Sequence, residues 1–279
     1  MIKLAERHRQ FAELHASGCF VIPNPWDIGT AKLFAAKGAQ ALATTSAGQA
    51  FTLGRPDMGT ISQDEALDHA ADIVAATPLP VSGDLENGFG NDPDTVAETI
   101  RLAREAGLSG CGIEDTMMQP GNPAYDFELA VERIRAAADA AKALPDPFIL
   151  TARADGVMND AYDFAEGIRR LQAFEQAGAN CVYMPAFGDP NLLSELMSAV
   201  SGAVNVLATG AMAKMGKDAL AASGVRRISI GSIAARVVHA ATLEMADEML
   251  VHGRFDGFAK AARGSDIDAL LAKGSGLKA

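Results

Sequence analysis

Several acidic residues stand at short spacing just after short apolar runs. Gly83-Asp84-Leu85-Glu86-Asn87-Gly88-Phe89-Gly90 carries two acids two residues apart, which an extended strand points to one side. Ile113-Glu114-Asp115 adds a second acidic segment, and Gly54-Arg55-Pro56-Asp57 a third. Thr151-Ala152-Arg153-Ala154-Asp155 pairs an arginine with an acid. Several carboxylates with no His or Cys among them suit a hard octahedral cation, so Mg2+ is expected, with Mn2+ as a substitute. Asp84, Glu86, Glu114 and Asp57 form the expected metal set. Without a cation such acids repel one another and raise their own pKa values. A lone Asp at a strand end more often caps a helix or pairs with a basic neighbour, but several at adjacent strand ends favour a shared site.

The planar fork of Arg153 suits a clamp on a carboxylate or phosphate, and the competing reading is a salt bridge across the pocket mouth. Ser46-Ala47-Gly48 offers a hydroxyl and backbone N–H groups to a substrate carboxylate, or else forms a plain strand-to-loop turn. Trp26 would wall the pocket or plug it. Gly210 through Lys217 is no phosphate loop: its spacing is one residue too long, and Asp218 stands where Ser or Thr is required. Gly231-Ser232 follows the last apolar run, where many barrels bind phosphate, although tight packing explains it equally well. His8, His15, His69 and His252 are expected on helix surfaces, and His239 is expected to be structural.

The elements that must position these groups mark themselves. Ala-rich amphipathic stretches end in Lys37-Gly38, Ala106-Gly107, Ala177-Gly178 and Ser223-Gly224, and a short β-branched run follows each. Glycine just past a helix takes the left-handed conformation that closes it, so each mark reads as helix end, tight loop and buried strand. The runs Ala41–Thr45, Gly110–Ile113, Cys181–Met184 and Arg227–Ile230 join Phe20–Ile22, Leu79–Ser82, Phe148–Ala152 and Asn205–Ala208 as eight expected strands. They read as apolar throughout, as in a parallel sheet covered on both faces. Ser62 with Glu65 predicts a capping box, and Asp92-Pro93 a cap before an N1 proline. Eight βα units in this length predict an α/β fold, a (β/α)8 TIM-type barrel with a C-terminal helical extension. An open sheet with a small second domain is the alternative. No linker or composition shift marks a boundary, so residues 1–279 are expected to form one domain. Residues 254–279, helical from Phe255 to Lys273, are expected to pack on a neighbouring subunit or to cap the barrel floor.

Composition narrows the function. The 279 residues carry a formal net charge of −11, which repels nucleic acid and anionic membranes. No run approaches the roughly 18 apolar residues of a membrane span, and the N-terminal segment lacks the apolar stretch of a signal peptide. Cys19, Cys111 and Cys181 sit far apart in apolar segments, as buried reduced thiols would. A cytoplasmic protein acting on a small-molecule carboxylate is expected.

At the strand ends the chain resembles the isocitrate lyase and phosphoenolpyruvate mutase superfamily, over nearly its whole length. The residues that carry the resemblance are Thr45-Ser46-Ala47-Gly48, Gly54-Arg55-Pro56-Asp57, Asp84 to Gly90, Ile113-Glu114-Asp115-Thr116 and Thr151 to Asp155. The resemblance implies a Mg2+-dependent barrel enzyme that makes or breaks C–C or P–C bonds in 2-oxo or 2-hydroxy acids. It implies that Asp84 touches the metal while Asp57, Glu86 and Glu114 hold its waters. It also implies that Ser46 with the Ala47 and Gly48 amides grips a substrate carboxylate and that Arg153 binds the far end. Asn122 would match an asparagine in the mobile loop of the phosphonate-cleaving branch. A homotetramer in which the last helix swaps between neighbours is implied as well.

Several positions depart from that pattern. The loop after the fourth strand, Thr116-Met117-Met118-Gln119-Pro120-Gly121-Asn122, lacks the Cys, Lys and His of the family's lyases. Thr44 replaces their Tyr, Glu86 replaces the commoner Asp, and Met184-Pro185 stands where the phosphonate-cleaving branch has a His. The expected reaction is C–C cleavage or formation through a metal-stabilised enolate. The alternatives are a P–C hydrolase or mutase acting on phosphonopyruvate-like acids and a non-catalytic barrel that binds 2-oxo acids. The loop from Thr116 to Tyr125 is expected to be irregular, and to act either as a lid or as a static cover.

Overall fold

Left-handed glycines close four helix-to-strand turns: Gly38, Gly107, Gly178 and Gly224 have φ of 94°, 87°, 108° and 92°, a conformation that costs other residues more. In the computed structural model, which describes residues 3–276, a strand follows each of those turns, and the barrel has eight parallel strands in all. They are β1 (Phe20–Ile22), β2 (Leu42–Ala43), β3 (Val81–Asp84), β4 (Gly110–Glu114), β5 (Ile149–Arg153), β6 (Cys181–Tyr183), β7 (Ala203–Leu207) and β8 (Arg227–Ser229). Each pairs with its sequence neighbour except β1 with β2, while β1 pairs with β8 in register Phe20 to Arg227. Loop hydrogen bonds close that last gap, from Ala43 N–H to the Pro23 carbonyl (3.1 Å) and from Asn24 Nδ2 to the Thr44 carbonyl (3.0 Å). The chain folds as a (β/α)8 barrel.

Helices α1 (Leu4–Ala16), α2 (Ile28–Ala36), α3 (Ser46–Thr52), α4 (Gln63–Ala76), α5 (Pro93–Glu105), α6 (Phe127–Lys142), α7 (Phe164–Ala177), α8 (Leu193–Ala199), α9 (Gly216–Ala222), α10 (Ile233–Leu250) and α11 (Gly264–Gly274) complete the fold. Ser62 caps α4 in the expected box with Glu65. Asp92 precedes Pro93 at the start of α5 but makes no side-chain cap bond. None of the described helices is long and apolar enough to cross a membrane.

Two expectations about burial fail. Helix α1 plugs the N-terminal end of the barrel, where Phe11 clusters with Phe20, Ile22, Ala41 and Ile149. His8 and His15 on α1 are therefore buried rather than on a helix surface. The strands are also not apolar throughout: Ser82, Thr151, Asn205, Arg227 and Ser229 are buried polar residues. Arg227 on β8 donates to Thr151 on β5, and a bond between non-adjacent strands must cross the barrel interior. That interior, normally filled by branched apolar side chains, is polar at mid-height here.

The C-terminal stretch is not one continuous helix. A short 3-10 turn (Asp256–Lys260) precedes α11, which packs on α2. Gly274 permits that approach, since a Cβ there would lie 1.9 Å from the Lys32 carbonyl oxygen. By contrast α10 has a single buried residue, Ala235. Residues 277–279 of the expected extension lie outside the described residues.

Candidate active site

The C-terminal ends of the strands surround a cavity of about 150 Å3 into which Asp57, Asp84, Glu86, Glu114 and Arg153 all project. Asp84 ends β3. Its Oδ2 accepts from the Ser46 N–H (2.9 Å) and hydroxyl (3.0 Å), and its Oδ1 accepts from Arg153 Nη1 (2.7 Å). Its own N–H donates to Thr44 Oγ1 at 2.8 Å. Glu114 ends β4 and lies 2.9 Å from the same Nη1. Asp155 takes Nε and Nη2 of Arg153 at 3.0 and 2.7 Å. Arg153 thus forms the salt bridge across the mouth, holding three carboxylates, and little of its fork is left for a substrate.

Glu86 reaches the cavity by a route the sequence did not predict. The strand stops at Asp84, and Glu86 turns back in a left-handed conformation (φ 48°), its Oε1 accepting the Gly59 N–H at 3.0 Å. Asp57 sits in the preceding loop and accepts the Met58 N–H at 2.8 Å. Asp115 stands behind the site. It accepts the Asp155 N–H (2.8 Å), the Tyr162 hydroxyl (2.6 Å) and Arg170 Nη1 (3.0 Å), and so braces Asp155. Arg133 on α6 ties the loop after Glu86, donating to the Gly90 and Asn91 carbonyls at 2.6 Å each.

Burial dominates the electrostatics. It pushes Glu114 well above the usual carboxylate range, although Arg153 opposes the rise. Burial lifts Asp155 to about 6 against the pull of Arg153, and it lifts Glu86 to about 7, with Asp84 and Asp57 adding to that rise. Asp57 is raised as well, again mainly by burial. For Arg153 burial works against the charge, but Asp155, Glu114 and Asp84 outweigh it and hold the guanidinium protonated.

Among the described residues no three His, Cys, Asp or Glu groups form a ready-made metal cage. The donor set nevertheless fits a hard cation. Every acid at the mouth offers oxygen, and their combined charge exceeds that of the cavity's two arginines, Arg153 and Arg227. Such a set suits one direct protein ligand with waters filling the remaining positions, a common arrangement for Mg2+.

The other expected substrate groups divide. Ser46-Ala47-Gly48 is the first turn of α3, not a strand-to-loop turn. Ser46 is committed to Asp84, and the Gly48 N–H caps back to Thr45 Oγ1 at 3.3 Å. The Ala47 N–H, in a first turn without intrahelical acceptors, remains for a ligand. Gly48 leaves no room for a side chain, since a Cβ would lie 2.6 Å from Thr45 Cγ2 and 3.0 Å from Trp26 Cβ. Trp26 therefore backs Gly48 and lies outside the cavity lining. Asn122 is outside it too, with Nδ2 3.4 Å from Met58 Sδ. Its loop is irregular as expected, belonging to no helix or strand, but it is tied across by an isolated bridge from Thr116 to Ala124 and by the Met117 N–H, which donates to the Pro123 carbonyl at 2.8 Å. Met118, rather than Asn122, reaches the cavity from that loop. The amides of Ile230 and Gly231 are taken by Asn24 Oδ1 at 3.0 Å each, which leaves neither of them for a phosphate.

Sequence reasoning missed Asn24, Thr44, Tyr183, Arg227 and Ser229, all of which line the cavity. Arg226-Arg227 within an apolar run was the available signal. On a strand such a pair must send one arginine outward and one inward.

The fold agrees with comparisons to known proteins. Residues 11–250 match the phosphoenolpyruvate phosphomutase family. The chain belongs to that family. The 2-methylisocitrate lyase of Escherichia coli is 34% identical over 170 residues, covering 58% of this chain and 56% of that enzyme. A solved Burkholderia cenocepacia structure, labelled a lyase/mutase, superposes with a TM-score of 0.92 at 47% identity, covering 96% of each chain. A phosphonopyruvate hydrolase solved with oxalate and Mg2+ shares the fold at a TM-score of 0.83 and 21% identity, covering 95% of this chain and 94% of the other.

Proposed function

We propose that this protein is a Mg2+-dependent lyase that cleaves or forms a C–C bond in a small 2-oxo or 2-hydroxy carboxylic acid. The observation that carries the reading is the convergence of Asp57, Asp84, Glu86 and Glu114 on one cavity beside Arg153. The lyase activity named for the Escherichia coli relative supports it, and the Mg2+ and oxalate bound by the phosphonopyruvate hydrolase support the cofactor and the substrate class. C–C chemistry is preferred over P–C chemistry because β6 runs into Met184-Pro185, with Met184 buried and no imidazole present to meet a phosphonate.

Asp84 would hold the ion directly, and Asp57, Glu86 and Glu114 would orient its waters. Bound there, Mg2+ would supply Lewis-acid polarisation of the substrate's 2-oxo or 2-oxido oxygen. The Ala47 N–H meets the substrate carboxylate. Arg153 keeps positive charge beside Asp84, where negative charge gathers as the bond breaks. Met58, Met118 and Met158 line the cavity with apolar, adaptable surface that excludes water.

The test is a panel of 2-oxo and 2-hydroxy acids, with phosphonopyruvate among them, incubated with Mg2+ and read by mass spectrometry. Fragmentation of a C–C bond is the expected result. Turnover of phosphonopyruvate alone would move the reading to P–C chemistry, and binding without turnover to an acid-binding barrel. In parallel, Asp84→Ala is expected to abolish Mg2+ binding in calorimetry while the fold persists. Metal affinity within a few-fold of the parent would remove Asp84 as the direct ligand.

A further inference from the structure

Arg227 opens β8 and is only 5% exposed, yet both of its hydrogen-bond partners are neutral. Nε donates to Asn205 Oδ1 at 2.8 Å, and Nη1 donates to Thr151 Oγ1 at 3.0 Å. Among the described residues no carboxylate oxygen lies within 4.0 Å of its guanidinium nitrogens. Nη2 has no protein acceptor, and it is not among the polar atoms sealed from solvent, so it faces the cavity that Arg227 helps to line. Arg153, the arginine that the sequence marks as a clamp, is instead spent on Asp84, Glu114 and Asp155.

A buried guanidinium with an open N–H and no counterion is costly until an anion reaches it. The cavity gives an anion the path. Ser82 and Ser229 line it together with Arg227, and both side chains are small. We propose that Nη2 of Arg227 is an anion subsite at the pocket floor that takes the second carboxylate of a dicarboxylic substrate. The 2-oxo or 2-hydroxy end then stays at the rim, beside Asp84 and Ala47. The proposal rests on the metal-dependent reading above and narrows its substrate class from carboxylic acids to dicarboxylic acids.

Malate and lactate share the 2-hydroxy acid end and differ in the second carboxylate, so their affinity ratio isolates the floor. Calorimetry of the intact protein with Mg2+ is expected to show malate binding roughly ten- to a hundredfold more tightly than lactate. Arg227→Gln should bring that ratio close to one. Asn205→Asp keeps the arginine and hands it an internal carboxylate, so it should collapse the ratio too. If Arg227 merely fills the barrel, either folded variant keeps the parent ratio, and that result overturns the subsite. Should Arg227→Gln fail to fold, the ratio in Asn205→Asp decides alone. Parent protein that binds oxalate with Mg2+ but prefers malate no more than lactate overturns the floor subsite and spares the metal-dependent reading. Parent protein that does not bind oxalate overturns both.

Discussion

Arg153 shows why residue identity matters more than charge at this mouth. Nη1 serves Asp84 and Glu114 together, while Nε and Nη2 grip Asp155 from the side. A lysine presents its donors from one point and cannot span those positions. Arg153→Lys is therefore expected to strand at least one buried carboxylate, costing about 3 kcal/mol in urea unfolding, and to lower kcat/KM by roughly a hundredfold. Unchanged kcat/KM in a folded variant would leave Arg153 a structural ion pair only. The spacing of the acids was enough to single out Asp84, Glu114 and Arg153. It was not enough for Glu86, whose carboxylate arrives through a left-handed turn that no strand periodicity describes.

Among the elements, α1 carries the most distinct pH signature. His15 lies against Phe11 and Phe20 at the barrel floor, with Nδ1 2.8 Å from the Phe11 carbonyl. Burial, with Arg227 adding to it, pushes its pKa down to about 3 from an ordinary 6.5. Below pH 6.5 the unfolded chain therefore takes up a proton that the folded chain refuses until about pH 3. Stability is full above that window and falls as the pH drops through it, by up to about 1.4 kcal/mol per pH unit. His15→Phe should flatten the decline of Tm between pH 6.5 and 4. An unaltered slope would place the acid sensitivity elsewhere.

The loop from Thr116 to Tyr125 is the second element with a predicted behaviour. Its internal bridge ties its two ends together, and Met118 lines the cavity. Hydrogen exchange across this loop is expected to slow when Mg2+ and oxalate are added together. Equal protection with and without them would make the loop a static cover.

At the scale of the molecule, α10 is unlike the other helices of the outer ring. Val237, Leu243, Leu250 and Val251 are 63, 68, 77 and 70% exposed, and Phe255 and Phe258 follow just beyond. Large apolar surface of this kind is rarely left open to water. We expect a homotetramer in sedimentation velocity at micromolar concentration, with α10 in the subunit contact. Val237→Glu combined with Leu243→Glu should yield a smaller species that keeps the barrel's circular dichroism. A monomeric parent protein would end that reading.

By itself the sequence determined the barrel, most strand positions, the acids at the strand ends and the family, because each of these is written locally. Glycine closes a helix where it stands, and a strand's last residue stands at the mouth whatever lies opposite. Tertiary structure alone decided how those residues are used. Ser46 and Arg153 turned out to hold protein carboxylates, because folding brings strands β2 to β5 within hydrogen-bond reach of one another. His8 and His15 became core residues because α1 closes the barrel, which helical periodicity cannot foresee. Arg227 became an interior cation for the same reason: which face of a short strand points inward, and what waits there, depends on how the other seven strands close around it.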